Sequence, residues 1–527
     1  MSSIIKNKSG NNVYLYESTS FRNKEGKVRN KRRIVGKVHP ETGEYIFKPE
    51  YLEEKGINTF GSSNHDKRIY TVNDVKSSNV KEYGVFLLLD EISKQVGLSE
   101  TLEQIFPASH KEILNLAFYI VSSGEPALYC EDWLYRSEHY PSKELSSQRV
   151  SELLLSITPG ERNAFFEKWS SYRLENEYIA LDTTSISTYS HQINDAEWGY
   201  NRDKEKLPQI NVCMLLGEKS RLPIFQVTYS GSLKDVSTLK QTLRLSSNLN
   251  LENISVVMDK GFASLKNIKG MLVKKSGMRF LIALPFNMTF PKRQIASESK
   301  DIDCIQNTIL VGHDVLRGVT KKRKFYGHDV YSHIYLNVDM ATQAKDKLFS
   351  KVQRVIDRVK EDSTIIESDT EVKKYLIVRK SSKSTEGYTI NIREEVIQKE
   401  LAHSGWLVLV SNHIEHARDA IMLYREKDAV EKGFQYMKNC LDLARLRVHS
   451  DNAMQNRIFI GFIALILTAH IHKIMSDKSL YAKWTMKKMI KALARLKVHY
   501  IKNDRIITPI TKEQRLIFDA FNINYEL

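Results

Sequence analysis

Residues 177–187 read EYIALDTTSIS: a short apolar run, rich in residues that suit a pleated strand, with an aspartate, Asp182, standing at its end. A run of this length bounded by polar residues predicts a buried strand. Others of the same kind follow at QINVCMLLG (209–217), LPIFQVTYSG (222–231), ISVVMDKG (254–261) and MRFLIALPF (278–286), and again far downstream at GWLVLVSNH (405–413). A helical pattern over 264–275 separates the fourth run from the fifth. Apolar strands alternating with helix predict an α/β protein, a mixed sheet with flanking helices.

Outward from these strands the character changes. Residues Val13–Val38 alternate as a β-hairpin around a Lys-Glu-Gly-Lys turn, and a polar stretch from Gly61 reads as a linker. From Tyr83 to about Trp169 the pattern is helical. In ITPGERNAFFEKW, Thr158 is placed as N-cap, Pro159 at the first helical position and Glu161 as the partner in a capping box. Residues 287–403 are more polar, with strand-like DVYSHIYLNVD (329–339) and an amphipathic helix over 341–360. The expected organisation is a basic hairpin and linker (1–82), a helical region (83–175), a first core part (176–286), an inserted α+β module (287–403), a second core part (404–475) and a basic helical tail (476–527).

The chain has 527 residues, 42% of them hydrophobic and 27% charged, and a formal net charge of +16. The first two values are ordinary for a globular protein, and the length suggests roughly three or four structural units. The charge favours a polyanionic partner, nucleic acid ahead of a membrane surface. It is also clustered: eight Lys or Arg against one acid over 22–37, and nine against one over 478–505. Arg29, Arg32, Arg33, Lys487, Lys488 and Lys491 are the candidate phosphate contacts in these runs. Cys130, Cys213, Cys304 and Cys440 are far apart, which argues against a zinc ribbon or a disulfide framework and fits a reducing cytoplasm. The most apolar run, IFIGFIALILTAHI from Ile458, is expected to be a core helix too short to span a bilayer easily, and no membrane partner is expected.

Two predicted core strands end in a carboxylate, Asp182 and Asp259. Strand mouths of this kind suit a divalent cation, and an acidic centre in a basic protein suits chemistry on a phosphodiester backbone. A third ligand is sought in LYREKDAVEKGFQYMK (423–438). With each helical residue advancing about 100°, Lys427, Glu431 and Lys438 fall within about 60° of Tyr424, whereas Glu426 lies roughly 200° away. Val430, Phe434, Met437 and Leu441 form the adjoining apolar face, so Glu431 borders the buried side and Glu426 faces solvent.

These residues resemble the catalytic triad and signature of DDE transposases of bacterial insertion sequences, the insertion-sequence-four-type group, in which Tyr-x2-Arg-x3-Glu-x6-Lys is characteristic. Here the pattern is Tyr424, Lys427, Glu431 and Lys438. Lysine replaces the group's arginine, keeping the charge and losing the planar fork. LDTTSIS, LPQINVCMLLG, LPIFQVTYSGSLKDVSTL, MDKGFAS and the N-terminal VYLYESTSFRNKEGK agree with the likeness. It implies a ribonuclease-H-like core interrupted by an insertion domain between Asp259 and Glu431. It also implies that Asp182, Asp259 and Glu431 are catalytic and hold two Mg²⁺ (or Mn²⁺) ions for cleavage and strand transfer. Tyr424, Lys427 and Lys438 would contact phosphates of double-stranded DNA, both terminal inverted repeats and target, and the enzyme would act as a homodimer assembled on DNA in a bacterial cytoplasm. A nuclease of the same fold without strand transfer, and an inactive DNA-binding repressor, are the rival readings.

Overall fold

The computed structural model describes residues 2–9, 12–22, 26–39, 45–55, 72–171, 178–201, 205–233, 239, 255–273, 278–380, 387–427 and 445–525. The chain divides into two compact units, Met1–Ser77 and Ser78–Leu527.

The first unit is an antiparallel sheet of β1 (Ser2–Ser9), β2 (Asn12–Arg22), β3 (Val28–Val38) and β4 (Tyr45–Phe47), paired in that order. The hairpin expected over Val13–Val38 is present as β2 on β3, from Tyr14 opposite Lys37 to Arg22 opposite Val28. Leu15 and Val35 are its buried apolar residues. Gly36 is required where β4 crosses, because a Cβ there would lie 2.3 Å from the Ile46 carbonyl oxygen. Glu17 is also buried, and two cations neutralise it: Arg33 at 2.7 Å, which also reaches Glu54, and Lys55 at 2.7 Å.

The second unit opens with β5 (Asn79–Glu82) and the helices Gly84–Gln95, Leu98–Ile105, His110–Ser123, Cys130–Arg136, Ser147–Ser156 and Pro159–Ser171. The capping box forms as read: Glu161 accepts from the Thr158 backbone at 2.8 Å, and the Glu161 backbone donates to Thr158 Oγ1 at 3.2 Å. The main sheet then builds from β6 (Tyr178–Thr188), β7 (Gln209–Gly217) and β8 (Pro223–Ser230) as an antiparallel meander. On the other side of β6 lie β9 (Ser255–Met258) and β10 (Arg279–Ala283), both parallel to it, with the helix Leu265–Leu272 crossing between them. This mixed α/β arrangement, ordered β8-β7-β6-β9-β10, fits a ribonuclease-H-like core.

The sheet extends further than the sequence suggested. β11 (Thr308–Val311), β12 (Asp314–Phe325) and β13 (His328–Leu336) were expected in the inserted module, yet β13 pairs with β16 (Trp406–Ser411), and β16 pairs with β10. Alternation explains it. Val330, Ile334 and Tyr335 are buried in the shared sheet, while the lysine-rich side of β12 made the segment look peripheral. What stands apart is Val338–Leu401: the helices Val338–Glu361, Thr370–Tyr375 and Glu394–Leu401 with the hairpin β14 (Leu376–Lys380) and β15 (Tyr388–Ile392), around a separate core that includes Leu348, Val355 and Tyr375. β17 (Arg445–Leu446) returns to the main sheet beside the end of β6.

The C-terminal segment, expected as a helical tail, carries a hairpin of β18 (Lys497–Ile501) and β19 (Asp504–Ile507) that pairs through β18 with β5. The alternation in KVHYI was masked by its basic residues, and Lys502 turns the hairpin with φ 54°. The apolar run from Ile458 is a buried core helix, as expected, but part of a longer one. It lies within a 27-residue helix, Asp451–Asp477, long and apolar enough to cross a membrane by length and composition, yet 72% of its most apolar window is buried inside the protein. It packs on the helices His110–Ser123 and Ser147–Ser156 and on β8. Phe459 and Phe462 meet Phe165 and Phe166, with centroid separations of 5.1 Å for Phe165–Phe459 and for Phe166–Phe462. Asn456, fully buried, donates to the carbonyls of Leu154 and Ile157 at 2.6 and 2.8 Å and so satisfies the end of a neighbouring helix.

His333 of β13 is fully buried, held by Thr320 at 2.8 Å and close to Ser411 at 3.4 Å. Burial pushes its pKa down to about 3, so the folded protein keeps the ring neutral while the unfolded chain protonates it below about 6.5. Its contribution to stability is therefore complete above pH 6.5 and is lost as pH falls toward 3, at up to about 1.4 kcal/mol per pH unit. Denaturant unfolding between pH 7 and 4.5 is expected to show a steeper loss for the wild type than for His333→Gln; equal slopes would remove this residue from the account.

Candidate active site

β6 and β9 run parallel with Leu181 opposite Met258, so the next residues, Asp182 and Asp259, leave the paired segment side by side, at the spacing of neighbouring strands, about 4.8 Å. β9 ends there, whereas β6 continues to Thr188 and meets β17 only at Ser187. Among the described residues the sheet is thus open on one side of β6 just past the two aspartates, which is where ligands bind in sheets of this kind. Asp182 is buried, and its Oδ1 accepts from the Thr183 backbone at 2.8 Å. Asp259 is half-buried and caps the turn that follows, accepting from the Lys260 backbone at 2.7 Å.

A third element reaches this point. The helix Ala417–Glu426 buries Ala420, Ile421 and Leu423 against Val257, Leu281 and Leu409 of the central strands. That packing turns Tyr424 onto Asp259, and its phenol donates to Oδ1 at 3.0 Å. Lys427, at the end of the same helix, is buried, with its ammonium 5.8 Å from the Tyr424 ring centre, within cation–π range. The other two residues of the contiguous Tyr-Arg-Glu-Lys string point elsewhere. Arg425 pairs with Asp314 of β12 at 2.6 Å, and Glu426 is exposed, as the spacing argument expected.

Glu431 and Lys438 lie outside the described residues, and so does the helical stripe that would carry them. Among the described residues no cluster of three or more His, Cys, Asp or Glu is placed to hold a metal ion. The described part of the site is a pair of hard oxygen donors braced by a phenol. Of the basic candidates, Arg29 and Arg32 are exposed on β3, while Arg33 is committed to Glu17 and Glu54. Lys487, Lys488 and Lys491 are exposed on the helix Met486–Leu493, Lys488 lying 4.9 Å over the Trp484 ring. Sequence reasoning missed the bond from Tyr424 to Asp259, because spacing along one helix carries no information about which strand end it faces. It also passed over Tyr189, Trp198 and Tyr200, which are exposed in a polar segment after β6.

Two carboxylates set side by side by neighbouring parallel strands, in a strongly basic protein, suit chemistry on nucleic acid phosphodiesters. The chain belongs to the transposase DDE domain family, whose sequence model matches residues 174–467. It is a transposase: a DNA-cleaving, strand-transferring enzyme that catalyses DNA transposition, in a family where divalent metal dependence is general. Among solved structures it is similar to the cryo-EM structure of the piggyBac transposase synaptic complex with hairpin DNA, with 11% sequence identity, a TM-score of 0.32, and coverage of 90% of this chain and 81% of that one. No curated protein sequence matches.

Arg425 and Asp314 are both more than a third exposed to solvent, so screening limits their pair to about 1 kcal/mol. Arg425→Gln is expected to leave DNA cleavage within about twofold of wild type and to shift stability by less than that amount. A loss of cleavage comparable to that of an aspartate variant would mean that Arg425, and not Lys427, serves the site.

Proposed function

We propose that Asp182, Asp259 and Glu431 are the catalytic carboxylates and hold two Mg²⁺ (or Mn²⁺) ions. The observation that carries this reading is the side-by-side exit of Asp182 and Asp259 from β6 and β9, with Tyr424 bonded to the second. Hard, anionic oxygens on rigid strands suit a hard divalent cation, so the residues present fit the group the family requires. When bound, such ions lower the pKa of the attacking water and stabilise the leaving oxygen.

The chain's own residues then have separate tasks. Asp182, locked in mid-strand, fixes one donor. Among the described residues Asp259 receives both its backbone bond and the Tyr424 bond on Oδ1, and its Oδ2 would serve a cation. Tyr424 is a positioning residue for Asp259, and the Lys427 ammonium beside its ring offsets the negative charge gathered here. Lys438, on the same stripe as Glu431, would contact a phosphate near the cut. In this reading Tyr424, Lys427, Glu431 and Lys438 form the signature of the insertion-sequence-four-type group. Arg29 and Arg32 of the N-terminal sheet, with Lys487, Lys488 and Lys491, would contact the backbone of terminal inverted repeats, and Arg33 would serve mainly to hold Glu17. Two copies would bridge two element ends, in a bacterial cytoplasm.

The test compares Glu431→Gln with Glu426→Gln in Mg²⁺-dependent cleavage of an element-end duplex. The first is expected to lose at least about a thousandfold, the scale of several kcal/mol of transition-state charge stabilisation, and the second to cleave normally. The reverse pattern would overturn the assignment. Tyr424→Phe removes a hydrogen bond to a charged group and is expected to raise the Mg²⁺ concentration for half-maximal cleavage by about tenfold or more, while activity at saturating Mg²⁺ recovers. If the defect persists at saturating Mg²⁺, Tyr424 acts on the DNA and not on Asp259.

A further inference from the structure

Away from the carboxylates, the surface shows a sharp contrast of charge. Residues 84–171, the helices that open the second unit, hold thirteen Asp or Glu against seven Lys or Arg, a net charge of −6 in a chain of +16, so the remainder carries +22. An acidic layer repels a phosphate backbone, so these helices are set against DNA and toward cationic partners. Exposed apolar side chains gather on one short stretch of the layer. Leu128, Tyr129 and Tyr135 are 60%, 48% and 80% exposed, on the helix Cys130–Arg136 and the turn that leads into it. Cys130, Trp133 and Leu134 are buried, which leaves Glu131, Asp132 and Tyr135 on the outer side, about one and two turns on from Leu128.

The stretch is firmly held. Trp133 packs edge-on against Tyr119 with ring centres 5.8 Å apart, the Tyr119 phenol donates to the Pro126 carbonyl at 2.6 Å, and the Glu138 backbone donates to Glu82 of β5 at 2.8 Å. Glu131 and Asp132 make no ion pair among the described residues. Apolar rings held out beside unpaired carboxylates form a docking surface for a cationic protein face. The chain carries such a face itself. The helix Met486–Leu493 buries Met489, Ile490 and Leu493 and leaves Lys487, Lys488 and Lys491 exposed. These lysines have no acidic partner among the described residues. Their long stems can cover apolar rings while the ammonium groups reach carboxylates, as Lys488 already does over the Trp484 ring.

We propose that Leu128, Tyr129, Glu131, Asp132 and Tyr135 of one copy dock on the helix Met486–Leu493 of a second copy in the DNA-free protein. A two-fold axis makes the contact reciprocal, each copy giving its acidic face and receiving the other's basic helix, so the pair closes and does not grow into an array. Two helix-sized contacts fall at the small end of specific interfaces, so the dimer is weak and salt-sensitive. The same three lysines are the ones read above as DNA backbone contacts. On that reading DNA competes with the acidic face, and the dimer is a resting form that DNA disperses.

The experiment is sedimentation velocity of the full chain without DNA, at low and high salt. It compares wild type with Tyr129→Ser/Tyr135→Ser, Glu131→Lys/Asp132→Lys, Lys488→Glu/Lys491→Glu, and the last two pairs combined. Wild type is expected to dimerise with concentration at low salt and to dissociate at high salt. Each paired variant is expected to weaken dimerisation by about tenfold or more, and the combination to recover it to within about threefold of wild type, because the reversed charges meet again. A wild type that stays monomeric overturns the proposal. So does a dimer indifferent to any of the paired variants, or a combination no better than its parts. Duplex DNA is then added to the wild-type dimer. If the charge exchange holds but DNA leaves the dimer intact, the interface stands and the assignment of these lysines to DNA falls.

Discussion

The parallel register of β6 against β9 is the constraint on which the rest depends. Leu181 opposite Met258 fixes where both strands end their pairing, and so brings Asp182 and Asp259 out together. A slip of one residue would turn one carboxylate to the opposite face of the sheet. The register is well specified because β6 is buried almost throughout and Val256, Val257 and Met258 are buried on β9. Part of the cost of burying Asp182 is offset by the bond it accepts from the next backbone N–H.

Rigidity of that register comes from two directions. On one side the helix Ala417–Glu426 packs Ile421 and Leu423 onto the central strands, and the same contact delivers Tyr424 to Asp259. Elsewhere the helix Asp451–Asp477 ties the sheet to the helical region through four phenylalanines and Asn456, so the residues from Ser78 onward share one principal core. An apolar helix with the composition of a membrane span is here a buried core helix, which is the other setting that a helix hydrophobic all round can occupy.

Much of this was legible in the sequence, and the failures have causes. The end of β9 was readable because its apolar run terminates sharply at Asp259, and the capping box at Thr158 because its chemistry is local; β6, expected to end at Asp182, instead continues through polar but buried residues to Thr188. The exposure of Glu426 was legible from angular position alone. Long-range pairing was not legible. Nothing local says that β13, readable as a strand, joins β16 across about seventy residues, or that β18 seeks β5 at the opposite end of the chain, and basic residues hid the alternation in β18. The aromatic trio after β6 was missed for a related reason: exposure depends on a backbone pinned by Gln209 and Gly231, which are distant in the reading of the segment itself.

The central claim is that Asp182 and Asp259 jointly hold a divalent cation. Replacing Mg²⁺ by Fe²⁺ and generating hydroxyl radicals cuts the polypeptide backbone wherever the metal sits. The account predicts cuts clustered near residues 182 and 259 in the wild type, both sets lost in Asp182→Asn. Cuts elsewhere, or cuts near 259 that survive undiminished in Asp182→Asn, would contradict it.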